Sequence, residues 1–267
     1  MAASAHTKRV ARAVGLLIGF VLLTVVGGYL VPADPYETHR RDVFSPPSLR
    51  FPLGSDELGR DILARVFRGS QISLATAAVA LSLALAVGAP IGLICGLSGG
   101  IVDVLLMRVM DIWLTFPAFL LAIALAILIG PGTVTAMLAV GFVSIPRFAR
   151  VVRSRVIELR QEAFVEAAIA VGAPRWYLLF VSIMPNTRNV ILVQCALTAG
   201  QAVLMEASLS YLGLGTSPPA PSWGLMLKNA TTYLSHAPWY GIFPGLFLAT
   251  LILLMNRLGN VLNELSS

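Results

Sequence analysis

Charge is scarce in this sequence. Of 267 residues, 12% are Asp, Glu, Lys or Arg against 57% hydrophobic, and the mean hydropathy is +0.82. Soluble domains carry about 25% charged residues, so a water-exposed globular fold is excluded. Cysteine is limited to Cys95 and Cys195, both inside apolar runs and without CxxC or Cys/His spacing, which excludes a disulfide framework and a thiolate metal site. His6, His39 and His236 form no pair at ligand spacing, so no metal is expected on this chain. Lys8 follows Thr7 and Lys228 follows Leu227, whereas a phosphate-binding loop needs lysine after glycine. GxSxG, HExxH and paired carboxylates in a polar setting are also missing. No catalytic residue and no bound cofactor are therefore expected, and the chain does not read as an enzyme.

Apolar residues fall instead in blocks long enough to cross a hydrocarbon core about 30 Å thick, which takes about 20 helical residues. The runs are Ala13 to Val31, Ile72 to Leu97, Val104 to Ile129, Thr133 to Phe148, Val190 to Leu212 and Tyr240 to Met255. They predict an all-α polytopic membrane protein with six transmembrane helices. Residues 1–70 read as an N-terminal anchor helix and an extramembrane loop, with a short amphipathic helix near Arg60 to Phe67. Residues 71–267 read as the main transmembrane domain. The first run is longer than the 7–15 apolar residues of a cleaved signal and lacks a small-residue cleavage site, so it is expected to be retained.

Within these blocks, Gly88, Gly92, Gly96 and Gly100 recur every fourth residue and predict close helix packing. Gly130-Pro131-Gly132 breaks the chain between the third and fourth spans. Gly54, Gly59 and Gly69 are expected at tight turns of the first loop. Pro218, Pro219 and Pro221 are expected to stiffen a surface or re-entrant loop, with Trp223 at interfacial depth.

The net charge of +6 is not a nucleic-acid footprint, because the basic residues lie beside apolar blocks, as orientation signals do. Arg147, Arg150, Arg153, Arg155, Arg160 and Arg175 follow the fourth span in what reads as an interfacial segment. The greater share of the 19 Lys and Arg residues falls on the side that also holds both termini. The positive-inside rule then places the N- and C-termini in the cytoplasm, together with the segment around Glu166.

That segment, EAAIAVGAPRWYLLFVSIMP from Glu166 to Pro185, predicts a helical hairpin along the membrane face. Glu162, Ala163, Glu166, Ala167 and Ala168 favour helix, and Gly172 can take the left-handed conformation that ends one. Small side chains at Ala167, Ala168 and Ala170 leave room for a partner. Trp176, Tyr177 and Phe180 supply apolar anchors, and Pro185 is expected to limit the second helix.

Glu166-Ala167-Ala168, Gly172 and Ile183-Met184-Pro185 at this spacing resemble the EAA loop of ATP-binding cassette importer permeases. In that family the loop forms a coupling helix that docks into the nucleotide-binding subunit. The resemblance implies that Glu166, Ala167, Ala168, Gly172, Trp176, Ile183 and Pro185 serve this coupling; Met184 stands where Leu is more usual. FPLGSDELGRDILARVFRGSQISL, from Phe51 to Leu74, and EASLSYLGLGTSPPAPSWGLML, from Glu206 to Leu227, resemble the shorter permease subunit of the dipeptide, oligopeptide and nickel importers.

The implied protein is a permease of a bacterial cytoplasmic membrane importer carrying dipeptides or oligopeptides. Its implied partners are a second homologous permease, two cytoplasmic ATP-binding subunits that hold ATP and Mg, an extracytoplasmic substrate-binding protein, and membrane lipid. No nucleic acid is implied. A nickel importer permease and an ion-coupled secondary carrier are the alternatives. An ion-coupled carrier would want several acids or histidines at the midplane, and Glu206 is the one carboxylate well inside an apolar block. Glu206 is accordingly a candidate for the translocation pathway, with a structural hydrogen bond as its other reading.

Overall fold

The computed structural model describes residues 2–264, with side chains from residue 8 onward, so the side chain of His6 and residues 265–267 lie outside it. Among the described residues the chain is helical without strands. Helix α1 spans Ala2–Leu30, α2 Ile62–Ser98, α3 Gly100–Thr115, α4 Ala118–Ile129, α5 Thr133–Arg160, α6 Ala163–Ala170, α7 Arg175–Leu212, α8 Trp223–Ala230 and α9 Pro238–Asn263. Five helices (α1, α2, α5, α7 and α9) are each long and apolar enough to cross a membrane, and α3 and α4 are so only as a pair, forming a broken sixth span or a re-entrant loop.

Proline sets the departures from the expected spans. The third span is not one helix: α3 and α4 meet at 85°. Pro117 disfavours helical backbone in the residue before it, and Phe116 is extended at φ −82°, ψ 132°. Elsewhere proline is absorbed. A widened π-type turn at Ala84–Gly88 precedes Pro90 inside α2, and another at Leu178–Ile183 precedes Pro185 inside α7. Each turn relieves the clash of the ring with the carbonyl four residues back and the loss of its N–H bond. Pro185 therefore does not end the hairpin's second helix, which runs on as the fifth span.

Two further expectations are corrected. The amphipathic helix near Arg60 to Phe67 is the first turns of α2 itself, capped by Asp61, whose carboxylate accepts from the Ala64 N–H at 2.9 Å. Burial pushes the Asp61 carboxyl above its ordinary pKa, opposed by the backbone N–H groups of Ala64 and Leu63. The arginine-rich stretch from Arg147 is the second half of the continuous α5, not a separate interfacial segment.

The glycine stripe packs α2 onto α5. A Cβ at Gly88 would lie 2.9 Å from the Ile145 carbonyl, one at Gly92 2.5 Å from the Ala149 carbonyl, and one at Gly96 2.5 Å from Val156 Cβ. Gly100 is not part of this seam; with Gly99 it turns the chain at φ near +61° into α3.

One end of the bundle is a cap made of the 31–61 loop and α8. Asp56 is fully buried between Arg60 (2.7 Å) and Arg65 (3.3 Å), and Glu57 bridges Arg60 (2.9 Å) to Asn229 of α8 (3.3 Å). Trp223 is fully buried, not interfacial: its indole N–H donates to the Val66 carbonyl at 2.9 Å. Gly69 is not in a turn but in α2, where an added Cβ would lie 3.2 Å from the Trp223 ring. Gly54 and Gly59 do occupy turns with positive φ. The opposite end carries the α6 hairpin and both chain ends, which an Arg9–Glu264 ion pair at 3.6 Å draws together.

Candidate functional site

Helix α6 is two turns long and stops in a Schellman motif. The Ala173 N–H bonds the Ala168 carbonyl at 3.0 Å, the Gly172 N–H bonds Ile169 at 2.9 Å, and Gly172 sits at φ +78° with Pro174 just beyond. A left-handed residue at this point costs a side-chain-bearing residue about 1–2 kcal/mol, which is why glycine suits it. The chain then re-enters helix at Arg175 and climbs through the π turn into α7.

The hairpin holds to the bundle by few side chains. Val165 is the buried residue of α6, and Leu178, Ser182 and Ile183 are buried in the π turn. Ile183 lies in a core cluster with Leu93, Phe148, Val152 and Val156. Of the coupling residues predicted above, Ile183 is thus an internal anchor, whereas Glu166, Ala167, Gly172, Trp176 and Pro185 are exposed and Ala168 is half-buried.

The exposed side of the hairpin is apolar to an unusual degree for water. Val171 is 84% exposed, Trp176 62% and Phe180 59%, with Phe164, Ile169 and Met184 beside them. A patch of this kind, with aromatic side chains over a small-residue helix, is the composition of a protein-docking surface. Phe164, Ile169 and Val171 do not stand out in the sequence, because each is one more aliphatic or aromatic residue among many; what distinguishes them is exposure on the short hairpin rather than on a span.

Glu206 sits on α7 and is fully buried. Its carboxylate accepts from the Ser210 hydroxyl at 2.7 Å and faces the Ser73 hydroxyl of α2 at 3.5 Å; Ser210 in turn accepts from the Thr216 N–H at 3.0 Å. This chain's own hydroxyls enclose it, and the arrangement ties α2, α7 and the following loop together. The predicted coupling residues and Glu206 are not brought to one site.

A second polar group was invisible at sequence level. Arg153 of α5 makes a two-pronged ion pair with Asp103 of α3, at 2.5 and 2.6 Å, and Arg150 pairs with Asp111. Arg147, on the same stretch of α5, instead donates to Gln201 Oε1 of α7 at 3.2 Å. Both acids lie on α3, which turns by 85° from α4 at Pro117 and packs against α5.

Residues 88–265 match the family described as "Binding-protein-dependent transport system inner membrane component". The Dipeptide transport system permease protein DppC of Alkalihalophilus pseudofirmus is 38% identical over 94% of this chain and 83% of its own length. The Glutathione transport system permease protein GsiD of Pectobacterium atrosepticum is 38% identical over 96% of this chain and 86% of its own. The Probable D,D-dipeptide transport system permease protein DdpC of Escherichia coli is 35% identical over 94% and 84%. Among solved structures, a chain of the MetNI methionine ABC transporter in an inward-facing conformation superposes with a TM-score of 0.62 at 18% identity, covering 76% of this chain and 96% of that one, which shows a shared fold. Family, relatives and fold agree with the helical architecture: the chain belongs to the binding-protein-dependent transport system inner membrane components and is a multi-pass permease subunit of an ATP-binding cassette importer.

Proposed function

We propose that this permease imports short peptides. The observation that carries the substrate class is its similarity, along nearly its whole length, to permeases named for dipeptides and glutathione. In this reading the chain pairs with a second homologous permease, and the path runs between them. Two cytoplasmic subunits bind ATP and Mg, and an extracytoplasmic binding protein delivers the peptide at the cap. Both termini and the hairpin face the cytoplasm, as the basic residues near them suggest.

The exposed face of the hairpin supports the coupling step. Closure of the ATP-binding subunits pushes Glu166, Ala167, Ala168 and Trp176 inward with whatever is docked on them. Few side chains tie α6 to the bundle, but Ile183 locks the start of α7 into the core, so that push is transmitted to the α7 span. The transporter then alternates between two packings of its spans, and hydrolysis resets it. Glu206 is a structural clamp here rather than a lining residue of the path.

The test is ATP-dependent uptake of labelled dipeptides, longer peptides and nickel in cells lacking this chain, with and without its restoration. Restored dipeptide uptake is the expected result. Restored nickel uptake alone would replace the cargo and leave the permease in place.

A further inference from the structure

The arginines of α5 differ in one respect that the family assignment does not use. Arg150 and Arg153 are neutralised by Asp111 and Asp103, Arg155 pairs with Glu158, and Arg160 donates to the Gly96 carbonyl. Among the described residues Arg147 also lacks an acidic partner and meets the Gln201 amide instead; unlike Arg160, the last residue of α5, it lies within the span, and both its side chain and that of Gln201 are exposed.

Depth makes this arrangement costly in lipid. The cap ends of α5 and α7 lie side by side, with the Gly132 N–H on the Leu214 carbonyl at 3.2 Å and Thr133 on Thr216 at 3.2 Å. At 1.5 Å per residue, Arg147 is about 21 Å down α5 from Thr133, and Gln201 about 16 Å down α7 from Leu212, against a hydrocarbon core about 30 Å thick. A helical side chain leans toward its helix's N-terminus, here the cap end. The Arg147 head therefore reaches up to the level of Gln201 and away from the hairpin end. An unneutralised guanidinium at that level belongs on a protein or water-lined surface, not against acyl chains.

The neighbouring face of α7 fits the same assignment. Gln201, Leu204, Ser208 and Tyr211 recur at helical spacing on its outward side, alternating hydrogen-bonding and apolar groups over about 15 Å. Such a stripe suits a small peptide with a polar backbone and apolar side chains.

We propose that Arg147, held by Gln201, is the acceptor for the C-terminal carboxylate of a peptide in transit, at the inner part of a path lined by this face of α7. A guanidinium suits this task because its planar fork matches a carboxylate. The inference rests on the peptide-import reading above.

The test uses the complete reconstituted transporter. Arg147→Gln is expected to lower dipeptide uptake by about tenfold or more, the scale of a lost charge-assisted hydrogen bond, in a complex that still assembles and melts like the parent; Arg147→Lys is expected to recover part of it. The second arm places a cysteine at Ser144, one turn from Arg147, with Cys95 and Cys195 replaced by alanine. Free dipeptide at saturating concentration is expected to slow thiol labelling there, the dipeptide amide to do so less, and Arg147→Gln to erase the difference.

Uptake unchanged in Arg147→Gln overturns the proposal. So does reduced uptake with equal protection by dipeptide and amide, which would assign the guanidinium to a carboxylate of the companion permease or to a lipid phosphate. A parent complex that carries another cargo but no dipeptide removes the peptide reading and this assignment with it, an outcome distinct from an active parent indifferent to Arg147.

Discussion

Glu206 and Asp56 are both fully buried carboxylates, yet their surroundings give them different work. Asp56 lies against two buried guanidiniums and fastens the cap, whereas Glu206 meets only hydroxyls. A carboxyl that needs hydrogen bonds and no cation can be replaced by an amide of the same shape. Glu206→Gln is therefore expected to assemble and transport like the parent. Glu206→Leu leaves the Ser73 and Ser210 hydroxyls without that partner and is expected to cost about 1–3 kcal/mol of stability, read as a lower melting temperature in detergent. Loss of uptake in Glu206→Gln at unchanged melting temperature would return this residue to the translocation path. The sequence left both readings open because burial of a lone acid is visible from hydropathy, but the two serines that receive it come from 4 and 133 residues away.

At the scale of the element, proline explains where the sequence was readable and where it was not. The apolar runs placed every span, because length and hydropathy alone decide what can cross a bilayer. What each proline does depends on tertiary packing. Pro117 breaks its span by 85°, while Pro90 and Pro185 sit in helices that widen by one π turn and continue. The α2 glycine seam was legible as a four-residue repeat, and the left-handed Gly172 as a helix stop, because in both cases only the absence of a side chain permits the geometry. Trp223 was misjudged since an indole suits a membrane interface as well as a buried donor site, and only the Val66 carbonyl distinguishes them. The seam makes its own prediction. Gly92→Leu would drive a side chain into the Ala149 carbonyl and Val152, and overpacking of this kind costs about 1–3 kcal/mol. Reduced accumulation in the membrane and earlier melting are expected, while the same substitution at Gly19 of α1, whose added Cβ meets nothing within 4 Å and whose backbone is ordinary helix, is expected to leave both unchanged.

The whole molecule is a bundle with two unlike ends. The cap is stitched by buried ion pairs and a buried tryptophan. The other end offers a short helix with one buried side chain and a broad exposed apolar face. This asymmetry suits a device that is driven at one end and holds its shape at the other. The residues proposed for coupling stand out in the sequence as a spaced motif, but their division into buried and exposed does not: Ile183 anchors the hairpin from inside, whereas Trp176 and its neighbours are exposed.

The most direct test of this account is ATP-dependent peptide uptake by transporters carrying Glu166→Lys or Gly172→Asp, measured beside their membrane insertion and the ATPase subunits retained on purification. Both changes alter the exposed hairpin and no span. The account predicts normal insertion with uptake abolished and the ATPase subunits lost or uncoupled. Normal uptake by both variants at normal expression would contradict it.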